Sequence, residues 1–196
     1  MSDHKRPDGF VTRASGEIRV DPSGDRRLKG YAIVFHKKSV DLGGFREIIL
    51  PEAVDRTIRE AADVRALIDH DSGKVIGRTR AGTMRIKADT RGLHVDIELP
   101  NTSLARDLFE SVDRGDITGM SFAFRTITDE WRMEDGEVIR EVSDMDVREV
   151  SVVAFPAYVQ TSVDAETLRS LQLFQQKQVG RNVAFAQKWH RTKIAS

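Results

Sequence analysis

The sequence predicts a mainly β protein with flanking helices (α+β), organised as a closed or nearly closed β-barrel ringed by two or three helices. Short runs rich in β-branched and aromatic residues recur along the chain. Turn signals containing Gly, Pro, Asp or Asn separate these runs about every 8–12 residues. Two or three stretches with helical apolar spacing lie between them, which favours a single barrel with helices around it.

The composition is that of a folded protein without a strong charge bias. The chain has 196 residues, of which 39% are hydrophobic, enough for a core. Its 31 basic and 31 acidic side chains balance, so there is no general case for nucleic-acid binding. The absence of cysteine excludes a disulfide framework and a thiol nucleophile, and suits a cytoplasmic protein. We expect neither a signal peptide nor a membrane span, which would need roughly 20 apolar residues.

The first part of the chain predicts an arm, three strands and a helix. Residues 1–15 are polar and are expected to form a flexible N-terminal arm. Strand patterns follow at residues 17–20, 28–35 and 45–50. Pro51 is well suited to the first turn of a helix, and apolar spacing continues that helix to about residue 62.

The middle of the chain predicts four strands and a second helix. Residues 64–68 read as a strand that leads into Asp69-His70-Asp71, and alternation places His70 on the same face as Ile68. Further strand patterns occupy residues 74–80, 83–88 and 93–99. The spacing of apolar residues over 104–112 predicts a helix, with Gly115 as its C-terminal cap.

Residues 117–125 alternate with period two, as a half-buried strand does. One face carries Met120, Phe122 and Phe124 and requires a core. The other face carries Ser121 between two small residues, which would let a substrate backbone approach its hydroxyl closely. A polar hairpin that turns near residue 135 and a last strand over residues 145–155 complete this part of the prediction.

The chain shows no internal repeat, and we expect one domain at residues 16–163. Residues 164–196 form a basic helical or disordered C-terminal tail, with six Lys or Arg side chains against two Asp or Glu. Such a tail is either a detachable basic extension or a segment for docking or self-cleavage.

Three residues could carry chemistry together, although each has an ordinary structural explanation alone. Ser121 could be a polar spacer and His70 a hydrogen-bonded core histidine. Glu149 lies within a β-branched run, where a carboxylate costs free energy unless it is paired. As a set they supply a nucleophile, a base that removes its proton and a carboxylate that orients the base.

Other ionisable residues give weaker hypotheses. A metal site at His70 with Asp69 or Asp71 is disfavoured because alternation separates them and no second histidine has ligand spacing, so we expect no metal or cofactor. His94 lies on the polar face of a strand, which favours solvent exposure. His36 has no evident partner. The chain contains neither a Gly-x-Ser-x-Gly elbow nor a P-loop, which argues against an α/β-hydrolase or an NTPase.

Several segments, in order over about residues 16–163, resemble the prohead (capsid maturation) proteases of tailed bacteriophages. They are Gly30-Tyr31-Ala32-Ile33-Val34-Phe35, residues 45–58 with Pro51-Glu52-Ala53, Leu67-Ile68-Asp69-His70-Asp71, Gly77-Arg78, Gly92-Leu93, Gly119-Met120-Ser121-Phe122-Ala123-Phe124, and Glu149-Val150-Ser151-Val152-Val153 before Pro156-Ala157-Tyr158. The resemblance implies Ser121 as nucleophile and His70 as general base, and Glu149 matches the third position best. It also implies an assemblin-like fold, similar to the herpesvirus proteases, in which a second histidine completes the triad. No histidine lies at that place here.

The resemblance implies a serine endopeptidase that forms an acyl-enzyme inside an immature capsid in the host bacterial cytoplasm. Its substrates would be the scaffold protein, extensions of the major capsid protein, and itself. A homo-oligomer is compatible with this function, whereas a membrane or a specific nucleic acid is not expected. Two alternatives stay open: a non-catalytic capsid-assembly or scaffold-binding barrel, and a small-molecule-binding barrel with an apolar interior cavity.

Overall fold

The chain divides into two units, residues 1–162 and residues 163–196. Strands dominate the first unit. The structure is a computed structural model that describes residues 10–23, 25–155 and 164–194, with side chains as far as residue 180. Within these residues the strands are β1 Val11–Val20, β2 Arg27–Val34, β3 Arg46–Ile49, β4 Arg65–Ile68, β5 Asp71–Arg78, β6 Met84–Ala88, β7 Gly92–Glu98, β8 Gly119–Glu134 and β9 Glu137–Val153. The helices are a 3₁₀ turn Pro51–Val54 that continues into α1 Asp55–Arg59, then α2 Ser103–Asp113 and α3 Ala165–Ile194.

The strands form one mixed sheet in the order β5-β4-β9-β8-β1-β2-β7-β6. Most neighbours are antiparallel, but β3 and β4 both pair with β9 in parallel. The strand β8 takes the other edge of β9 along its whole length, so β3 and β4 follow one another on the same edge. This arrangement places the end of β4 beside the last residues of β9.

The sheet curls strongly but does not close into a barrel. In the part of the chain that the structure describes, the outermost strands β5 and β6 do not pair. At their junction the side chain of Thr83 accepts a hydrogen bond from the amide of Arg78 at 3.0 Å, in place of a strand ladder. The prediction of a mainly β protein with helices is therefore confirmed, and its closed-barrel form is wrong.

The concave interior of the sheet holds the apolar face that the alternation at residues 117–125 predicts, but the strand is not half-buried there, because Ser121 and Ala123 on its other face are also 0% exposed. Met120, Phe122 and Phe124 are each 0% exposed and belong to one apolar cluster. Helix α2 contributes its apolar stripe to the same cluster, and its first turn is capped by the side chain of Thr102. No helix in the described residues is both long and apolar enough to span a membrane.

Two boundaries differ from the sequence prediction. The strand β1 begins at Val11, so it includes residues 11–15, which had been assigned to a flexible arm; residues 1–9 lie outside the described residues. The β8–β9 hairpin turns where the sequence predicts, at Asp135 and Gly136, whose φ angles of 51° and 83° are typical of a tight hairpin turn. The last strand, however, begins at Glu137 rather than at residue 145. In the outer half of the hairpin Ile139 and Val142 of β9 are 0% exposed, whereas Ile127 and Met133 of β8 are exposed, so the apolar residues of β8 there do not mark a core face.

The second unit consists of α3, within the predicted tail. Asp164 precedes the helix and accepts hydrogen bonds from the amide and the hydroxyl of Thr167 at 2.7 and 2.9 Å. This side-chain cap explains where the helix begins. Of the tail's apolar residues with described side chains, Leu171 is buried and Leu168 and Leu173 are exposed.

Candidate active site

The three predicted residues lie on neighbouring elements of the sheet. Ser121 is on β8 and Glu149 is on β9, where the register pairs Ser121 with Ser151 and Ala123 with Glu149. His70 follows β4, which pairs with β9 on its other edge and aligns Leu67 with Ser151. Three sequence segments that are far apart in the chain are therefore adjacent in the sheet.

His70 lies in a tight turn rather than on a strand face. Asp69 and His70 both have left-handed backbone angles, with φ of 49° and 60°. The amide of Asp69 donates to the carbonyl of Val152 at 3.0 Å, and the amide of His70 donates to Oγ of Ser151 at 3.2 Å. The prediction that alternation carries His70 on from Ile68 is thus wrong, because the chain reverses between β4 and β5. The turn, held against β9, sets the direction of the imidazole.

The structure brings the three side chains into one hydrogen-bonded line. Nε2 of His70 lies 2.8 Å from Oγ of Ser121, and Nδ1 lies 2.6 Å from Oε1 of Glu149. The side chains of His70 and Glu149 are 10% and 5% exposed, and Ser121 is 0% exposed. Hydrogen bonds between such sheltered groups are stronger than the same bonds in water. The arrangement can move a proton from the serine hydroxyl to the imidazole.

The hydroxyl of Ser121 has a second acceptor within reach, because the carbonyl oxygen of Arg13 lies 2.9 Å from Oγ. A serine hydroxyl carries one proton and can donate to one acceptor at a time. When the imidazole is neutral with its proton on Nδ1, Nε2 can accept the serine proton. When the imidazole is protonated, Nε2 donates to Oγ and the hydroxyl proton turns to the Arg13 carbonyl. The site therefore has two hydrogen-bonding states set by the charge on His70.

A buried ionic cluster holds β1 beside Ser121. Nε of Arg13 lies 2.8 Å from Oε1 of Glu47, and Nη1 of Arg140 lies 2.9 Å from Oε2 of the same carboxylate. Arg140 also donates from Nε to Oδ2 of Asp129 at 2.6 Å. Arg13, Glu47 and Arg140 are at most 4% exposed. The two positive and two negative charges offset one another, and the cluster fixes the backbone that offers its carbonyl to Ser121.

Sequence reasoning missed two groups at the site. Ser151 donates from Oγ to Oε2 of Glu149 at 2.7 Å. The sequence carries a signal for Ser151, because residues i and i+2 of a strand share a face and the chain reads Glu149-Val150-Ser151. The carbonyl of Arg13 has no such signal, because every residue carries a backbone oxygen.

The other candidate residues lie apart from this line of side chains. His94 packs edge-on against Tyr31 with ring centroids 5.3 Å apart, and His36 is exposed in a loop. The described residues contain no group of three or more His, Cys, Asp or Glu side chains that could hold a metal ion. A pocket of about 280 Å³ lies beside β1 and is lined in part by Arg13, Glu47 and two lysines, Lys37 and Lys38.

Comparisons by sequence with known proteins agree on one family. The family model described as caudovirus prohead serine protease matches residues 15–177. The chain is 27% identical to the prohead protease of Enterobacteria phage HK97 over 188 residues. This aligned region covers 89% of this chain and 79% of that protein. A solved structure of the bacteriophage T4 capsid assembly protease gives a TM-score of 0.48 at 9% identity, covering 74% of this chain and 96% of that one. Because the family model spans most of the sequence, the chain belongs to the caudovirus prohead serine protease family.

Proposed function

We propose that this prohead protease cleaves the scaffold protein, extensions of the major capsid protein, and itself, through an acyl-enzyme on Ser121. The observation that carries the proposal is the continuous line from Oγ of Ser121 through the imidazole of His70 to the carboxylate of Glu149, with separations of 2.8 and 2.6 Å. A hydroxyl, a base and an orienting carboxylate in this order are what acyl transfer by serine requires.

The proposed reaction has two steps. His70 takes the proton of Ser121 as Oγ attacks the scissile carbonyl carbon, and the imidazolium then gives that proton to the leaving amine as the peptide bond breaks. Water next attacks the acyl-enzyme, with His70 again as base, and the serine hydroxyl re-forms as the new carboxylate leaves. General-base catalysis of this kind contributes about 10²–10⁴-fold to the rate.

Glu149 would stabilise the imidazolium that forms during both steps. Its Oε1 accepts from Nδ1 of His70, which leaves Nε2 facing Ser121. The carbonyl of Arg13 would act as the resting acceptor of the hydroxyl proton whenever the imidazole is charged. Productive attack thus requires neutral His70 before substrate binds, and ionised Glu149 throughout.

The proposed setting is the assembling prohead inside the host bacterial cytoplasm. The family description supports a prohead location, and the substrates follow from it by analogy. We also propose a fold similar to that of the herpesvirus assemblins, built on a sheet that curls but does not close. We also propose that the basic tail, which begins at about residue 164, recruits the enzyme to scaffold or is removed by self-processing.

Co-expression with the neighbouring capsid and scaffold genes tests the proposal. Wild-type chain should yield shortened scaffold and capsid proteins by mass spectrometry, and Ser121→Ala should yield only full-length ones. Ser111→Ala is the matched control, because its hydroxyl only contacts the carbonyl of Asp107 on the exposed side of α2. Cleavage by Ser121→Ala at the wild-type rate would show that the nucleophile is another residue.

The main alternative is a non-catalytic barrel that binds scaffold or shell. The intact hydrogen-bonded set at Ser121 and membership of a serine protease family both argue against it. In the same co-expression, this alternative predicts that wild type binds scaffold but that no product is shortened. A small-molecule-binding barrel is also disfavoured, because the sheet does not close around an interior and the matching family is one of serine proteases.

A further inference from the structure

We propose that Ser151 is a positioning residue for the hydrolysis, which holds both Glu149 and His70 through one hydroxyl group. This inference rests on the proposed function of the site. The hydroxyl donates to Oε2 of Glu149 at 2.7 Å and accepts the backbone N–H of His70 at 3.2 Å. One small side chain therefore contacts the carboxylate and the backbone of the base at once.

The place of Ser151 in the sheet explains why it can do this. It is paired with Ser121 on β8 and with Leu67 on β4, so it lies between the strand of the proposed nucleophile and the strand that leads to the base. Two positions separate it from Glu149 along β9, which puts both side chains on one face. Ser151 is 0% exposed, so water cannot easily take over its hydrogen bonds.

The contact with His70 bears on the backbone of the turn. The φ angle of 60° at His70 is in the left-handed region, which costs free energy for a residue with a side chain. A hydrogen bond to the amide of that residue helps to hold the conformation. Together with the bond from the amide of Asp69 to the carbonyl of Val152, it ties the turn to β9.

The contact with Glu149 bears on the carboxylate. With Oε2 occupied by the Ser151 hydroxyl, the group is held with Oε1 toward Nδ1 of His70. Loss of this bond would remove a contact that fixes the orientation of the buried carboxylate. The effect would reach the reaction through the orientation of the imidazole. Because Ser151 is buried beneath this contact, the loss of its hydroxyl should lower kcat and leave KM unchanged.

A double-mutant cycle with Glu149 tests the inference on a peptide that spans a cleavage site mapped by product mass. Ser151→Ala should lower kcat by about 10- to 100-fold, the usual range for a lost hydrogen bond to a charged group. In the Glu149→Gln background the same change should lower kcat by a clearly smaller factor, because only the contact with the amide of His70 is then lost. Ser121→Ala is measured alongside and should be inactive.

Two further variants keep the test decisive. Thr79→Val is the matched control, because the Thr79 hydroxyl also bridges a carbonyl and an amide, at 2.6 Å to Ala62 and 2.9 Å to Val64, without touching the site. It should leave kcat unchanged even if it lowers the melting temperature. If Ser151→Ala does not fold, Ser151→Cys preserves the packing with a much weaker donor, and its kcat should fall instead.

The outcomes separate this inference from the proposed function. Wild-type kcat in a folded Ser151→Ala or Ser151→Cys variant would overturn the inference, as would an equal loss with and without Glu149→Gln. Wild-type kcat in Glu149→Gln alone would also overturn it, since holding the carboxylate would then have no effect on the reaction. In each of these cases an inactive Ser121→Ala variant would leave the serine mechanism standing.

Discussion

Nδ1 of His70 lies 2.6 Å from Oε1 of Glu149, although the two residues are 79 positions apart in the chain. The histidine thus pairs with a carboxylate from another strand and not with either aspartate beside it in sequence. Asp69 and Asp71 instead accept backbone amides, from Ala154 at 3.4 Å and from Gly73 at 2.8 Å. The two neighbouring aspartates bind backbone amides, and the distant Glu149 lies in line with the imidazole of His70 and with Ser121.

The proposed nucleophile and base should act as a unit. Ser121→Ala and His70→Ala should each lower kcat/KM by about 10⁴-fold or more, and the double variant should be no worse than either single one. Glu149→Gln should cost less, because an orienting group can be lost with residual activity. Steady-state cleavage of a mapped peptide measures all four. Multiplicative losses in the double variant would mean that the two residues act independently.

The buried ionic cluster should make a large contribution to stability. Glu47→Gln leaves Arg13 and Arg140 buried with too little negative charge, so it should lower the free energy of unfolding by about 3–5 kcal/mol. The control Glu17→Gln disturbs exposed pairs with Arg19 and Arg91 and should cost less than about 1 kcal/mol. Urea denaturation measures both. Equal losses in the two variants would show that burial does not strengthen the cluster.

Acid should weaken the ion pair between Asp63, which precedes β4, and Arg78, the last residue of β5. The hydrogen bonds from Arg78 lower the pKa of Asp63 from 3.8 to about 2. A carboxyl whose pKa is lowered by folding stabilises the protein above its unfolded pKa and loses that contribution as the pH falls through its folded pKa. The stability advantage of wild type over Asp63→Asn should therefore be constant above about pH 5 and shrink between about pH 4 and pH 2.

Denaturant unfolding of wild type and Asp63→Asn across this pH range checks the prediction. Asp71→Asn serves as a control for the loss of a carboxylate at another place, the exposed start of β5. A stability difference between wild type and Asp63→Asn that does not change with pH would contradict the assigned ion pair.

Local patterns predicted the strand that bears Ser121, because alternation depends only on which residues face the core. They also pointed to Glu149, since a carboxylate in a β-branched run needs a partner. Alternation failed at His70, where the chain reverses within two residues and strand geometry no longer applies. The acceptor role of the Arg13 carbonyl has no sequence signal at all.

The shape of the sheet depended on contacts that no local pattern encodes. Whether β5 pairs with β6 is decided by how far the whole sheet curls, and at that junction the Thr83 side chain takes the amide of Arg78. Similarly, the full length of the β8–β9 hairpin depends on the register of the two strands and on the turn geometry at Asp135 and Gly136. Both features required the three-dimensional structure.

Covalent labelling by diisopropyl fluorophosphate tests the central claim most directly, because this reagent phosphorylates a serine that a neighbouring base activates. Peptide mapping by mass spectrometry should find a single adduct on Ser121, and the labelling rate should fall by about 10²-fold or more in His70→Ala. An adduct on another serine, or labelling of Ser121 at the same rate without the imidazole, would contradict the account.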